Sequence, residues 1–226
     1  MTDSVLDIMK IEKIKQENLT AESVGVYKII NKNLITIFEK KPEIIALPAS
    51  LVKVIVTICV LNNISKIGLT LDSQLIRSSE DSNDGSGSNL DIGDTISVYD
   101  ALANMLVANS NVTANIIARI FGEKLLNLEG NYHPTYKQCI DKWMGVIHKK
   151  ILQLNMKNTH FKSPSGLDTN SYSNVSDISL MIYEAYQYNE IKEIWRNKEY
   201  SLTITDINGV SRCVKIISNV YPVVQG

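Results

Sequence analysis

A serine and a lysine three positions apart, Ser50 and Lys53, open the most apolar stretch of this 226-residue chain. On a helix that spacing puts both side chains on one face, one turn apart. A serine hydroxyl is a weak nucleophile and needs a base beside it. A lysine can be that base only after its ammonium loses a proton, and burial among apolar groups drives it that way. Lys53 stands between Val52 and Val54 in a run that reaches Leu61. The chemistry on offer is attack by a lysine-activated serine. The competing reading is a chance spacing, with the lysine snorkelling its charge to water.

Asn109-Ser110-Asn111 is the second polar group of interest, set where one helical pattern stops and another begins. Amides at such a corner can face a cleft and hydrogen-bond an amide substrate. Asn and Ser equally suit a helix end followed by an N-cap. His133, His148 and His160 show no metal-ligand spacing, and no Gly-x-Ser-x-Gly elbow accompanies them, which argues against a Ser-His-Asp hydrolase of the elbow type. His148 falls in an amphipathic stretch and is expected at the surface. Cys59, Cys139 and Cys213 are odd in number and far apart, unlike a disulfide framework or a zinc site. Cys59 is expected to be a buried small hydrophobe. Nothing calls for a metal or an organic cofactor.

The elements that must position these residues follow from periodicity. Val24 to Ile30 and Leu34 to Phe38 are β-branched runs around Asn31-Lys32-Asn33, a hairpin signal. Pro48 precedes Ala49-Ser50, and nearly every residue over 51–61 is apolar, Lys53 being the charged interruption, which predicts a buried helix with Ser50 near its first turn. Residues 82–89, Ser-Asn-Asp-Gly-Ser-Gly-Ser-Asn, read as a surface loop. Ser97 and Asp100 have capping-box-like spacing ahead of a helix carrying Val98, Leu102 and Met105. After the 109–111 corner, helical spacing resumes through Ala114, Ile117 and Phe121. Further helices are expected over residues 139–154 and from Ser176. A second hairpin is expected around Asn208-Gly209. Hairpin, helices, hairpin argue for one antiparallel sheet flanked by helices, an α+β fold.

With 44% hydrophobic residues the chain can bury one sizeable core, read as a polar lead-in over residues 1–22 and one domain over 23–226. Its 23 basic and 24 acidic residues nearly cancel, which gives no reason to expect nucleic acid as a partner. The start of the chain lacks the apolar core of a signal peptide, and the 51–61 run is short for a transmembrane segment.

Together the motifs resemble the D-alanyl-D-alanine carboxypeptidases, a branch of the penicillin-binding, β-lactamase-like serine hydrolases. Leu47-Pro48-Ala49-Ser50-Leu51-Val52-Lys53 is similar to the family's Pro-Ala-Ser-Leu-Thr-Lys signature. Residues 90–102 resemble the stretch leading to its Ser-x-Asn motif, and Asn109-Ser110-Asn111 stands where that motif belongs. Residues 154–168, ending Phe161-Lys162-Ser163-Pro164-Ser165-Gly166-Leu167-Asp168, are similar to a further family segment. The resemblance spans residues 24–226.

What the resemblance implies is an antiparallel sheet with flanking helices and a helical subdomain, with the site in the groove between them. Ser50 would attack the carbonyl between two D-alanines, Lys53 would take its proton, and Asn111 would hydrogen-bond the substrate. The Ser50 backbone N–H would serve the oxyanion hole. Asn109 replaces the motif's serine, and an amide cannot relay a proton as a hydroxyl can. The sequence ends where a Lys-Thr-Gly strand would begin, so the fold is expected to lack its C-terminal strands and this chain to be a poor enzyme. The implied partners are peptidoglycan pentapeptides or other D-Ala-D-Ala peptides, with β-lactams as inhibitors. The family is normally exported to the cell envelope. A non-catalytic peptidoglycan- or partner-binding module is the main alternative. A β-lactamase is a weaker one, since its usual Glu-containing loop is not seen.

Overall fold

The computed structural model describes residues 19–218; most of the polar lead-in therefore lies outside the described residues. The first hairpin is β1 (Val24–Ile30) and β2 (Asn33–Lys40), paired antiparallel with Ile30 opposite Asn33. Its two-residue turn puts Asn31 and Lys32 at φ 49° and 61°. Both values are left-handed, as a primed hairpin turn requires, and Asn tolerates them best.

A 3-10 turn at Ala49–Leu51 runs straight into helix α1 (Val52–Asn63). Every residue from Val52 to Val60 is buried, so α1 is the central pillar of the core rather than a surface helix. Each fully buried Val or Ile contributes on the order of 1.5–3 kcal/mol relative to exposure. With a second 3-10 turn at Ile64–Ile67, the helical run Ala49–Ile67 reaches 19 residues at mean hydropathy 1.5. By length and composition alone it could cross a membrane, and it outreaches the short run expected from the sequence. Here 61% of it is buried against the rest of the protein.

Around α1 pack α2 (Val98–Val107), α3 (Asn111–Leu128), α4 (Tyr136–Gln153) and α5 (Val175–Ala185), and α6 (Asn189–Trp195) packs against α2. Helices α3 and α4 approach closely where Gly122 faces the Cys139 carbonyl: a Cβ at 122 would sit 2.0 Å from that oxygen. Beside this contact the Phe121 and Trp143 rings meet at 5.2 Å. Cys59 and Cys139 are both buried thiols. Helix α6 was not legible in the sequence. It is seven residues long and its N-cap, Tyr188, makes no side-chain cap bond.

Hydrogen bonding divides the described strands into two antiparallel sheets, not the single one expected. β1 and β2 stand alone. Strands β3 (Gln74–Ile76), β4 (Thr95–Ser97), β5 (Glu199–Thr205) and β6 (Ser211–Ile217) form the second sheet in that order. The C-terminal hairpin joins this sheet through Thr95 opposite Thr205 and Ile96 opposite Ile204. Asp100 helps hold it. Ser97 caps α2 by accepting from the Asp100 N–H at 3.0 Å. The Asp100 carboxylate does not complete a capping box: it accepts from Tyr200 Oη at 2.7 Å and Thr203 N at 2.8 Å on β5.

Candidate active site

Ser50 and Lys53 occupy one face at the junction of the 3-10 turn and α1, as their spacing predicts. Lys53 is buried, 2% exposed, and its Nζ lies 3.0 Å from Ser50 Oγ. Three further oxygens surround the amine: Asn109 Oδ1 at 2.9 Å, Asn111 Oδ1 at 2.7 Å and the Ser165 carbonyl at 2.8 Å. No carboxylate is among these partners. Burial therefore acts without a compensating charge and pushes the Lys53 pKa down to about 8. The three amide-type oxygens match the three N–H groups of an ammonium. A neutral amine keeps two N–H groups for them and turns its lone pair to Ser50.

Ser50 is partly exposed, so its hydroxyl is reachable from outside. Its N–H belongs to the first turn of the helical run, where N–H groups have no partner within the helix. The preceding residue, Ala49, has φ 45°, a left-handed value that is costly for a residue with a Cβ. Gly166 packs against this turn. A Cβ at 166 would lie 2.1 Å from the Ala49 carbonyl oxygen and 3.0 Å from Ser50 N, and its own φ is +77°. Only glycine meets both demands.

The 109–111 corner is both a site element and a pair of caps, so the two readings of its sequence coexist. Asn109 ends the helical path after α2 with φ 58°. Ser110 caps α3, accepting from Thr113 N at 3.3 Å and Thr113 Oγ1 at 2.9 Å, and gives its own proton to the Gly87 carbonyl at 2.8 Å. It is fully buried and bonded away from Lys53. Asn109 and Asn111, on either side, both reach the lysine.

Residues 82–89 do more than form a surface loop. The Asn111 Nδ2 donates to the Asp84 carbonyl at 3.0 Å, and Asn111 N donates to the Ser86 carbonyl at 2.9 Å. Gly85 and Gly87, at φ +84° and +70°, allow this approach: Cβ atoms there would lie 2.3 Å from Asn111 Nδ2 and 2.4 Å from Ser110 Cα. Asn89 and Asn104 exchange side-chain bonds at 2.8 and 2.9 Å behind the loop. A buried ion pair, Arg119 with Asp81, pins the loop's start to α3.

Sequence reasoning missed the Ser165 carbonyl, the 82–89 loop and Gly166 as parts of this constellation. A main-chain oxygen leaves no side-chain signature, and only the glycines hinted at close backbone approach. His148 is also corrected. It is partly buried, not a surface residue: its ring stacks on His160 at 4.6 Å and 12°, and its Nε2 lies 2.8 Å from the Phe161 carbonyl.

An antiparallel sheet beside a helical block, with a serine and a buried lysine at the head of the central helix, is the fold of the penicillin-binding proteins and β-lactamases. The DD-transpeptidase of Streptomyces K15 superposes with a TM-score of 0.76 at 21% identity, covering 89% of this chain and 75% of that one. A penicillin-binding protein homolog from Mycobacterium tuberculosis superposes at 0.71 and 17% identity, covering 91% and 69%. The family model of D-alanyl-D-alanine carboxypeptidases matches residues 12–219, and the chain belongs to that family. The D-alanyl-D-alanine carboxypeptidase DacF of Bacillus subtilis is 26% identical over 147 residues. That match covers 64% of this chain and about a third, 34%, of the relative's length.

Proposed function

We propose that this chain is a serine peptidase acting on peptides that end in D-Ala-D-Ala, through an acyl-ester on Ser50. The observation that carries this reading is the buried Lys53 amine 3.0 Å from Ser50 Oγ, with burial as the cause of its lowered pKa. In the reaction, Ser50 Oγ attacks the carbonyl of the penultimate D-alanine while its proton passes to neutral Lys53. Negative charge on the carbonyl oxygen falls toward the Ser50 N–H. The C–N bond then breaks, the proton leaves Lys53 for the departing D-alanine amine, and the acyl group stays on Ser50. Water attack releases a shortened peptide with a new carboxylate. A β-lactam would acylate the same oxygen by ring opening. Membership of the carboxypeptidase family and the name of the Bacillus relative support the substrate class. Asn111 is assigned to substrate contact through the amide N–H that the Asp84 carbonyl does not take.

A second reading, a module that binds or acylates but turns over poorly, is favoured by Asn109. Its amide oxygen faces Lys53, so this position has no hydroxyl to relay the proton. Labelling with a fluorescent penicillin tests both. A covalent adduct mapped to Ser50, lost in Ser50→Ala, supports the peptidase. An adduct that persists without product release favours the module. An adduct on another serine, or none, refutes the assignment of Ser50.

A further inference from the structure

The Ser165 carbonyl is the single main-chain group bonded to Lys53 Nζ among the described residues, and it belongs to a segment without helix or strand. The segment is closed at its neck by reciprocal main-chain bonds between His160 and Tyr172, each 2.9 Å. Within the neck a carboxylate does the work of a ladder. Asp168 accepts from Ser163 Oγ at 2.8 Å, Ser171 Oγ at 2.9 Å, Ser171 N at 2.7 Å and Asn170 N at 3.0 Å.

A hydroxyl has one proton to give. Because Ser163 and Ser171 give theirs to Asp168, their lone pairs are turned to the main chain. Ser163 Oγ accepts from Gly166 N at 3.1 Å, and Ser171 Oγ accepts from Lys162 N at 2.9 Å. Gly166 in turn is pressed against the Ala49 carbonyl, and the peptide before it carries the Ser165 oxygen to the lysine. The path Asp168, Ser163, Gly166, Ser165, Lys53 is continuous.

We propose that Asp168 is a positioning residue for Lys53: it orients Ser163 and Ser171, fixes the 163–168 turn, and so holds the Ser165 carbonyl that keeps the lysine amine dry and against Ser50. Burial of Asp168 acts to raise its pKa, but the bonds from Ser163, Ser171 and Asn170 outweigh it and keep the group ionised below the usual carboxylate range. The charged and titratable groups nearby are Lys162 in the same segment and His160 and His148 at its neck. At hydrogen-bond range Lys53 meets uncharged groups, namely Ser50, Asn109, Asn111 and Ser165. The link to acylation rests on the peptidase reading; the link to Lys53 titration does not.

The test is an NMR titration of Lys53 in chain labelled with 13Cε-lysine, alongside fluorescent-penicillin labelling from pH 6 to 10. Asp168→Ala should loosen the turn, admit water to the amine and raise the Lys53 titration midpoint by about one pH unit or more, about tenfold in neutral amine. Labelling at pH 7 should then fall about tenfold and recover by about pH 9.5. Should Asp168→Ala fail to fold, Ser163→Ala removes the bridge from Asp168 to Gly166, leaves the Asp168 bonds to Ser171 and Asn170 in place, and should move Lys53 the same way by less. A folded variant whose Lys53 titrates as in the wild type would overturn the proposal, as would a labelling loss equal at every pH. A shifted Lys53 in a chain that never labels supports this positioning role and sinks the peptidase reading alone.

Discussion

Replacing Lys53 by methionine keeps the length and apolar stem of the side chain and removes the amine. The effect on acylation can be worked from the site. With a pKa of about 8, roughly one lysine in ten is neutral at pH 7, against about three in ten thousand at the ordinary value of 10.5. Burial thus raises the supply of base about 300-fold. General-base catalysis is typically worth ~10²–10⁴-fold, so Lys53→Met should slow penicillin acylation of Ser50 by about that factor. The wild-type rate should climb with pH to about 8 and then level, and the variant should lose this limb. Folding stability has its own sign. A lysine pKa lower in the folded than in the unfolded chain means that the unfolded chain binds more protons between pH ~8 and ~10.5, so wild-type stability rises with pH across that window. The methionine variant should be flatter there. It also leaves the Asn109, Asn111 and Ser165 oxygens without a donor, at a cost of about 1–3 kcal/mol each where buried. Circular dichroism must therefore show the variant folded before its rate is read. Wild-type acylation by folded Lys53→Met, or a flat wild-type profile from pH 6 to 9, would refute the base assignment.

Asn109→Ser restores a hydroxyl beside the lysine, and release of the bound penicilloyl group, followed by loss of fluorescence from Ser50, should speed up; an unchanged release rate means that water already relays the proton. Gly166→Ala forces a Cβ into the Ala49 carbonyl at a left-handed φ, and strain of that backbone alone is on the order of 1–3 kcal/mol. Thermal melting should drop by several degrees and acylation should fall with it, whereas Gly209→Ala, in open space at the β5–β6 turn, should leave acylation intact. Asp81→Ala strands Arg119, which is largely buried, and should cost ~3–5 kcal/mol in denaturant unfolding; a loss under about 1 kcal/mol would mean that water solvates the guanidinium in place.

The sequence by itself determined what depends on near neighbours along the chain. Helix geometry alone puts Ser50 and Lys53 on one face, and the all-apolar run behind them states that the helix is buried. The Asn31-Lys32 turn and the break at Asn109 are likewise local, because left-handed backbone favours a few residue types. Tertiary structure decided the rest. Lys53 meets Asn109, Asn111 and Ser165 across 56, 58 and 112 positions, distances at which no periodicity speaks. The Ser165 contact is a main-chain oxygen, common to all residues, and its place is set by Asp168 and the glycine beside Ala49. Asp100 could have closed a capping box with Ser97, yet its carboxylate goes to β5, where two donors outbid one local N–H. Strands β3 and β4, three residues each, are too short to show alternation, so the division into two sheets was hidden until β4 met β5. Local geometry singled out the candidate nucleophile and its candidate base; the lowered pKa that would make the lysine a base comes from burial, which only the packed chain supplies.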